Sequence, residues 1–556
     1  MTLPAASTDP LRDRPTATVA AADGVNGPMR REILFGDRLV RCFADRPASV
    51  DAMFRHAVAN RADHGAVAIG DQVETYAALG EKVDRLAANL AAAGFQAGER
   101  IALLLGNQLE FVYCFLAAAR LGVVSVPLNT RQRREEVRYA LRQCGASALI
   151  FAAEHEDAVP PPGDVPGVRR AYRVGTVDGC DFSELLGPCD HPGDWPVAAG
   201  SDTLCVLYTS GTTGKPKGAM LTNVGAVHST LHYVKTFGLR PGDTSLLAVP
   251  ISHVTGIVAI LLVSIQIGGC MVMLPAFKAR AFLDLAARWR MNYTLMVPTM
   301  YNLILLDPDL GSADLSAWRV GGFGGAPMTG ATIDRLRSAL PRLELCNVYG
   351  ATETTSPTTI LPPGDIGRRP DSVGKSVACA DIVIVDEGGV EVPPGKVGEL
   401  LVAGPMVVPG YWNDPDSNRA SFIAGYWRSG DLGYVDVAGY VYVVDRKKDM
   451  INRGGFKVYA AEVEATCAAM PGVVEAAVVG VPDPVLGERV HAFLVVQGAS
   501  VDAEQVRRHC SLHLSDYKVP ELLTFRGEPL PRNANGKVLK HLLRASDGDG
   551  PGQPHA

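Results

Sequence analysis

The segment from Tyr208 to Gly218 reads Y-T-S-G-T-T-G-K-P-K-G and concentrates groups that bind anions. Glycines let backbone N–H groups turn toward an anion, hydroxyl groups add donors, and lysines add positive charge. A mobile surface connection is the alternative for such a loop, but it does not require all three features together. The pattern predicts a polyphosphate site with the candidate residues Thr209, Ser210, Gly211, Thr212, Thr213, Gly214, Lys215 and Lys217.

Two common nucleotide-binding loops do not match this sequence. A Walker loop needs a glycine five residues before the Gly-Lys pair and a Ser or Thr after it. Thr209 and Pro216 occupy those positions. The segment Gly322–Pro327 is not a dinucleotide fingerprint either, because Pro327 replaces the last glycine.

Four further motifs follow the phosphate loop along the chain. They are Asn347–Glu353 (NVYGATE), Tyr426–Asp431 (YWRSGD), Asp445–Asp449 (DRKKD) continuing to Gly454, Gly455 and Glu462–Glu464, and Pro531–Lys537 (PRNANGK). In order and spacing, the set resembles the adenylate-forming superfamily of acyl-CoA synthetases, luciferases and peptide-synthetase adenylation domains. The resemblance covers residues 50–543 and is strongest to a carboxylic acid–CoA ligase.

The resemblance implies an α/β fold in two moving parts. A large N-terminal body of several subdomains is expected to contain parallel sheets and a small β-barrel-like part, and a small mobile α+β domain follows it. The expected boundaries are a flexible leader at 1–36, the N-terminal domain at 37–446, the C-terminal cap at 447–545 and a disordered tail at 546–556.

The family reaction joins a carboxylate to the α-phosphate of ATP, and a nucleophile then attacks the activated carbonyl. The first half brings two anions together, so it needs positive charge and a metal. By resemblance, Thr352 contacts the α-phosphate and Glu353 is a catalytic residue and the Mg²⁺ ligand, since this ion prefers oxygen. The cofactors implied are ATP, Mg²⁺ and coenzyme A.

The same resemblance assigns residues to the nucleoside. Tyr349 is expected along the adenine face with Asn347 near its amino edge, and Asp431 is expected to accept hydrogen bonds from the ribose. Arg446 should reach the ribose or phosphate. The remaining ATP-binding positions that the motifs imply are Gly325, Ala326, Pro327 and Gly350.

The motifs near the C-terminus supply residues for the junction, the hinge and the thiol. Lys537 matches the lysine that stabilises charge at the carboxylate–phosphate junction, and Lys448 matches the pivot of domain rotation. Without the motif, each would be interpreted as a solvated lysine.

At position 452 this sequence has Asn where some relatives carry Lys. The expected CoA-binding residues are Arg453, Gly454 and Gly455.

His253 corresponds to the aromatic or histidine residue beside the reacting carboxylate; a hydrogen-bonded core histidine is the other interpretation. No acidic residue occurs in Ser252–Ile267 to hold a substrate ammonium, which disfavours amino acids. The stretches Val254–Ile267, Met296–Leu306 and Gly321–Pro327 lack Lys and Arg, so a second carboxylate would be unpaired. A fatty or aryl acid with an apolar or neutral tail is expected.

CoA is the expected acceptor, because the segment after Lys537 is far shorter than a carrier domain. A fatty-acyl-AMP ligase that loads a separate carrier protein is the main alternative, and luciferase-like oxygenation ranks lower. Outside this class, a non-catalytic nucleotide-binding module is the alternative.

Repeated strand–helix alternation must position these groups. It occurs between residues 81 and 151 and predicts a mainly parallel sheet. Strands such as Asp381–Asp386 and Gly398–Val402, separated by turns, indicate an antiparallel meander.

Gly256–Pro275 has 20 residues without a formal charge. A buried helix, a glycine turn and the strand Cys270–Leu274 are favoured there over a membrane span.

Composition narrows the class of protein. The 556 residues are 47% hydrophobic and 20% charged, which indicates a globular chain. A net charge of −6 disfavours a nucleic acid as the main partner. Eleven cysteines without a Cys-x-x-Cys pair, and a start without the apolar core of a signal peptide, predict a cytoplasmic protein. A homodimer is left open.

Overall fold

The computed structural model describes residues 27–175, 181–189, 193, 195, 197–209, 215–497, 501–532 and 538–545. The first elements among these residues are the strands β1 (Met29–Leu34) and β2 (Arg38–Phe43), which pair as an antiparallel hairpin. The leader predicted for residues 1–36 is therefore wrong at its end, because β1 pairs with a strand whose apolar side chains enter the core. Arg38 secures the hairpin by donating to the Val408 carbonyl at 2.9 Å. The predicted tail at 546–556 lies outside the described residues.

A six-stranded sheet carries the phosphate loop. Its strands are β5 (Arg100–Leu104), β6 (Val124–Pro127), β7 (Ala148–Ala152), β8 (Arg170–Val174), β9 (Thr203–Thr209) and β10 (Lys217–Thr222). The spatial order is β10-β9-β6-β5-β7-β8, parallel except for β10. Between these strands run α3 (Leu109–Leu121) and α4 (Arg134–Cys144), each ending at a left-handed glycine.

A nine-stranded sheet forms the second layer. Its strands are β3 (Gly65–Ile69), β4 (Gln72–Thr75), β11 (Ser245–Leu247), β12 (Met271–Met273), β13 (Tyr293–Met296), β14 (Val320–Gly324), β15 (Glu344–Tyr349), β16 (Thr359–Ile360) and β17 (Lys375–Ser376). The order is β17-β16-β15-β14-β13-β11-β12-β3-β4, and the strands from β15 to β3 are parallel. Parallel strands place their carboxyl ends at one edge of the sheet.

Helices cover both sheets and build the main core between them. They are α1 (Val50–Arg61), α2 (Tyr76–Ala92), α5 (Asn223–Thr236), α6 (Val263–Gln266), α7 (Ala279–Arg288), α8 (Pro298–Leu305) and α9 (Gly330–Ala339). Hydroxyl side chains cap several of their first turns by accepting a backbone N–H, which satisfies an otherwise unpaired donor. The capping residues are Ser49, Thr75, Thr222 and Thr329.

The uncharged stretch Gly256–Pro275 folds as predicted. A π-helix at Thr255–Leu262 continues into α6, the chain turns at Gly268 (φ 59°), and β12 follows. Ile257 to Val263 are buried. Within the described residues, no helix has both the length and the apolar character needed to cross a membrane.

A third sheet confirms the antiparallel pattern predicted after residue 365. It consists of β18 (Asp381–Val385), β19 (Gly398–Ala403), β20 (Phe422–Ile423), β21 (Tyr426–Val435) and β22 (Val441–Arg446), with α10 (Pro415–Ser421) before β20. The order is β18-β19-β21-β20, and β22 pairs with β21. Register places Asp431 opposite Arg446.

The C-terminal part is a separate α+β unit with its own core. Its elements are β23 (Ile451–Arg453), β24 (Phe456–Val458), α11 (Ala460–Ala468), β25 (Val473–Asp483), β26 (Gly487–Val496), α12 (Ala503–His513), β27 (Leu522–Arg526) and α13 (Lys540–Ala545). Val463, Val478 and Leu494 are fully buried in this core. The predicted fold class, a large α/β body followed by a small α+β domain, is confirmed.

Candidate active site

The phosphate loop connects two antiparallel strands, β9 and β10. Thr209 at the end of β9 pairs directly with Lys217 at the start of β10, so the loop leaves and returns at one point. Gly218 is required next to it, because a Cβ there would lie 2.6 Å from Val206 Cγ1. Lys215 is exposed. The predicted residues Ser210, Gly211, Thr212, Thr213 and Gly214 lie outside the described residues.

Glu353 reaches this hairpin from the second sheet. It belongs to a short 3₁₀ turn at Thr352–Thr354, directly beyond β15. Its Oε1 lies 3.5 Å from Thr209 Oγ1 and accepts a hydrogen bond of 2.9 Å from the Tyr411 hydroxyl. Glu353 is 9% exposed, so its carboxylate is largely removed from water. The structure thus brings the predicted metal ligand to the phosphate loop.

Three residues predicted separately form one hydrogen-bonded cluster. Asp431 Oδ2 accepts from the Tyr349 hydroxyl at 2.5 Å, and Asp431 Oδ1 pairs with Arg446 Nε at 2.6 Å. The Asp431 backbone N–H donates to Ser429 Oγ at 2.9 Å, which fixes the strand. Asp431 is 3% exposed, and burial raises the pKa of Tyr349, which keeps its hydroxyl a donor.

The other residues predicted to bind the nucleoside lie at the carboxyl edge of the nine-stranded sheet. Gly325–Pro327 follows β14, and Asn347 and Gly350 belong to β15 or follow it. The two strands are adjacent and parallel, so these residues share an edge. Gly325 has φ 77°, a conformation that favours glycine, and Gly325–Pro327 is exposed. Asn347 is buried and donates from Nδ2 to the Ser372 carbonyl at 3.0 Å.

His253 lies at the same edge, between β11 and the π-helix. Its side chain is exposed, with Nδ1 3.3 Å from Thr255 Oγ1. This exposure disfavours the interpretation of a core histidine, although neighbouring protein atoms lower the pKa of the imidazole by desolvation. Its place beside the reacting carboxylate stays a prediction. The π-helix that begins at Thr255 is buried along its length, as expected for a segment that flanks an apolar pocket.

Comparison with known proteins decides the family. The model of the AMP-binding enzymes matches residues 54–412, and the model of the AMP-binding enzyme C-terminal domain matches residues 462–537. The chain is an AMP-binding enzyme. The predicted membership of the adenylate-forming superfamily is confirmed.

Curated relatives of this AMP-binding enzyme include ligases for several acids. Feruloyl-CoA synthase from an Amycolatopsis species is 36% identical over 495 residues, which are 88% of this chain and 96% of that protein. Long-chain-fatty-acid–CoA ligase FadD13 from Mycobacterium tuberculosis is 34% identical, covering 84% of this chain and 92% of its own. Fatty acid–acyl-carrier-protein ligase ScoC from Streptomyces coeruleorubidus is 33% identical, covering 84% and 91%. The predicted enzyme class, an AMP-forming acid–thiol ligase, is confirmed.

Two solved structures share the fold. o-Succinylbenzoate coenzyme A synthetase MenE from Bacillus subtilis, in complex with ATP and a magnesium ion, has a TM-score of 0.80 at 30% identity and covers 88% of this chain and 98% of its own. ATP-bound MatB from Rhodopseudomonas palustris has a TM-score of 0.83 at 31% identity and covers 90% and 99%.

The oxygen atoms near the phosphate loop of this AMP-binding enzyme fit Mg²⁺. The ion takes oxygen ligands and is usually held by one or two carboxylates together with substrate phosphates. Glu353 supplies a carboxylate and Thr209 a hydroxyl at the base of the loop. Among the described residues, no group of three or more acidic, histidine or cysteine side chains could hold a metal unaided.

Lys448, the predicted hinge, is exposed in the turn between β22 and β23. Arg544 Nη2 on α13 donates to the Lys448 carbonyl at 3.3 Å and to Asp449 Oδ1 at 3.0 Å. On either side of Lys448, the Lys447 N–H donates to the Gly430 carbonyl at 2.8 Å and the Asp449 N–H to the Arg446 carbonyl at 2.9 Å. The hinge role stays a prediction.

The predicted CoA-binding residues form the turn of the β23–β24 hairpin. Gly454 (φ 58°) and Gly455 (φ 88°) both have the left-handed conformation that the turn requires. Arg453 Nη2 lies 2.6 Å from Glu521 Oε1, and this pairing lowers the pKa of Glu521. The role of this turn in CoA binding stays a prediction.

Lys537 lies outside the described residues, and its role also stays a prediction.

Tyr411 is the residue in the site that the sequence did not point to. It contacts Glu353 although 58 residues separate them, and Lys217 Nζ lies 5.2 Å from the centre of its ring. A single tyrosine in Gly410–Trp412 has no spacing that signals chemistry. Its role depends on a contact between sheets.

Proposed function

We propose that this AMP-binding enzyme is an ATP-dependent carboxylic acid–CoA ligase. It converts an acid, ATP and CoA to acyl-CoA, AMP and pyrophosphate through an acyl-AMP intermediate. The observation that carries the proposal is the meeting of Glu353 with Thr209 at the base of the phosphate loop. Four residues before Glu353, Tyr349 joins the cluster with Asp431 and Arg446.

In the first half-reaction, the chain holds ATP so that its α-phosphate is open to the acid. Lys215, Lys217 and the loop hydroxyls bind the β- and γ-phosphates, and Thr352 donates to the α-phosphate. Asp431 accepts the ribose hydroxyls, and Tyr349 covers the adenine. Mg²⁺, when bound, offsets the charge of the phosphates, and Glu353 is the residue that holds it.

The second half-reaction is assigned to a rotated C-terminal domain. Lys537 stabilises the junction of carboxylate and phosphate while acyl-AMP forms, and pyrophosphate then leaves. Rotation about Lys448 withdraws Lys537 and brings the turn of Arg453, Gly454 and Gly455 toward the thiol. A few surface residues that absorb the change in φ and ψ are typical of hinges.

The acid is proposed to carry an apolar or neutral tail, either fatty or aryl. The buried π-helix at Thr255–Leu262 and the absence of Lys and Arg from the predicted pocket stretches support an uncharged tail. Relatives named for ferulate and for long-chain fatty acids support both kinds. His253, accessible at the edge of the sheet, is proposed to face the reacting carboxylate.

CoA is the proposed acceptor, and the relatives named CoA synthases and ligases support it. A carrier protein is the second candidate, because the relative ScoC is named as an acyl-carrier-protein ligase. Both acceptors react through a thiol, and the thiol enters only in the second half-reaction. The first half-reaction therefore does not distinguish them.

A panel of fatty and aryl acids tests the proposal. Each acid is incubated with ATP and Mg²⁺, first without and then with CoA, and pyrophosphate and thioester mass are measured. Pyrophosphate release that depends on the acid, followed by acyl-CoA, is the expected result. Acyl-AMP that reacts with a carrier protein and not with CoA would establish the second candidate. ATP binding without any acid-dependent pyrophosphate would instead indicate a non-catalytic nucleotide-binding module.

A further inference from the structure

The segment Gly410–Trp412 runs beside β10 as an additional strand. The Met220 N–H donates to the Gly410 carbonyl at 3.1 Å, and the Trp412 N–H donates to the Gly218 carbonyl at 2.7 Å. Tyr411 forms a β-bridge with Ala219 between these two bonds. The segment is therefore fixed to the strand that follows the phosphate loop.

A side-chain amide holds the backbone of Tyr411 from the other side. Asn418 Oδ1 on α10 accepts the Tyr411 N–H at 2.6 Å, and Asn418 Nδ2 donates to the Tyr411 carbonyl at 3.1 Å. Gly410 permits this approach, because a Cβ there would lie 2.8 Å from Asn418 Oδ1. The Phe422 ring packs edge-on against the Tyr411 ring, with centroids 5.8 Å apart. The phenol has little freedom to move.

The Tyr411 side chain connects the two charged groups of the phosphate site. Its hydroxyl donates to Glu353 Oε1 at 2.9 Å, and the Lys217 ammonium lies 5.2 Å from its ring centroid, within cation–π range. Tyr411 is 5% exposed. A phenol hydroxyl donates and a carboxylate accepts, so this contact holds the Glu353 carboxylate from one side.

We propose that Tyr411 is the positioning residue for Glu353. It holds the Glu353 carboxylate in one orientation through the hydrogen bond to Oε1, and its ring couples that orientation to Lys217 of the phosphate loop. The inference rests on the proposed function, in which Glu353 holds Mg²⁺. Outer partners that orient a ligating carboxylate change metal affinity by about 10- to 100-fold when they are removed.

Tyr411→Phe removes the hydroxyl and keeps the ring. The first readout is binding of Mn²⁺, a paramagnetic substitute for Mg²⁺, measured by electron paramagnetic resonance with a non-hydrolysable ATP analogue. The second is the Mg²⁺ concentration that half-activates pyrophosphate release. Both constants are expected to rise about tenfold, while the KM for the acid and the melting temperature change little.

Tyr113→Phe is the matched control. Tyr113 is also buried and donates to a carboxylate, Glu74, at 3.1 Å, but in a different part of the fold. Its variant is expected to leave both metal constants unchanged. Asn418→Ala, which loosens the Tyr411 backbone and retains the hydroxyl, is expected to shift both constants in the same direction by a smaller factor.

Unchanged Mn²⁺ affinity in folded Tyr411→Phe would overturn the positioning role, as would an equal change in Tyr113→Phe. Failure of the proposed function gives a different result. The wild-type protein would then release no acid-dependent pyrophosphate, whatever the Mn²⁺ measurements show for Tyr411.

Discussion

Asp431 is the residue on which the proposed nucleoside site depends most. Both carboxylate oxygens are used, one by Tyr349 and one by Arg446, and the group is almost fully buried. A ribose bound here meets an acceptor whose orientation is already fixed. Such preorganisation lowers the ordering cost of binding.

Asp431→Asn is expected to weaken ATP binding about tenfold, because hydrogen bonds to a charged acceptor are lost and the amide NH₂ faces a donor. Isothermal titration with ATP measures the change. Asp436→Asn is the control, since Asp436 also pairs with an arginine, Arg369, at 2.5 Å and lies near a tyrosine. Equal ATP affinity in the two variants would contradict the assignment.

The buried His228 is expected to make the free energy of unfolding depend on pH. Its Nδ1 lies 2.8 Å from the Val224 carbonyl, and its Nε2 accepts the Phe43 N–H at 3.2 Å. This arrangement requires a neutral imidazole, and burial lowers the pKa of His228 to about 4 from 6.5. The unfolded chain therefore binds a proton first as the pH falls, and the free energy of unfolding decreases from pH 6.5 toward pH 4.

Between about pH 7.5 and about pH 5, His228 alone accounts for a loss of about 2 kcal/mol in the free energy of unfolding. Urea unfolding at the two pH values measures it. His228→Gln is expected to reduce the pH dependence by that amount, and His56→Gln, at an exposed position on α1, is expected to leave it unchanged. A pH dependence in His228→Gln equal to that of the wild type would refute the account.

Single residues were predictable where a motif surrounds them and not where a distant contact defines them. Glu353, Tyr349 and Asp431 stand in recognisable strings; the structure places Glu353 beside Thr209 and Tyr349 beside Asp431, and their binding roles stay predictions. The hydrogen bond between Tyr349 and Asp431 and the contact of Glu353 with Thr209 could not be read from the sequence, because each joins elements of different sheets. Tyr411 was missed for the same reason.

At the scale of elements, periodic segments were predicted to within a few residues. The strand–helix alternation predicted between residues 81 and 151 includes α4, Arg134–Cys144, because its apolar face and its terminal glycine are both visible in the sequence. The π-helix at Thr255–Leu262 was not predictable, since an unbroken apolar run has no period that distinguishes helix types. The β1 strand was missed because its partner, β2, defines it.

Gly218→Ala tests whether the hairpin positions the phosphate loop. The new methyl group would lie 2.6 Å from Val206 Cγ1, so either the buried Val206 side chain or the backbone of β10 must shift. A cost of about 1–3 kcal/mol in stability is expected from overpacking, together with weaker ATP binding. Thermal unfolding and ATP titration measure both. Gly330→Ala, where a Cβ meets no atom within 4 Å, is the control and is expected to change neither.

At the scale of the whole molecule, the proposed reaction is divided between two parts. The body carries the phosphate loop, Glu353 and the Asp431 cluster, and Arg446 ends the last strand before the joint. The net charge of −6 does not reveal this division, because the lysines and arginines proposed to bind phosphate are few and lie at particular positions in the chain. The resemblance to a family predicted this division, which neither composition nor periodicity could.

Lys448→Pro tests the joint. Proline fixes φ at the exposed turn and is expected to slow the thioester step about tenfold while acyl-AMP formation changes little. The two half-reactions are measured separately, by pyrophosphate release without CoA and by thioester formation from supplied acyl-AMP. Lys448→Ala keeps the backbone free and serves as the control. Equal rates of thioester formation in the two variants would exclude a hinge at this residue.

The central claim is that one chain makes an acyl-AMP and then transfers its acyl group to a thiol. The direct measurement is a two-step mass-spectrometric experiment with the wild-type enzyme, ATP, Mg²⁺ and an acid that supports pyrophosphate release in the panel of fatty and aryl acids. Without CoA, acyl-AMP and an equal amount of pyrophosphate are expected, and added CoA should convert the acyl-AMP to acyl-CoA. Formation of ADP instead of AMP, or of acyl-CoA without prior acyl-AMP, would contradict the account.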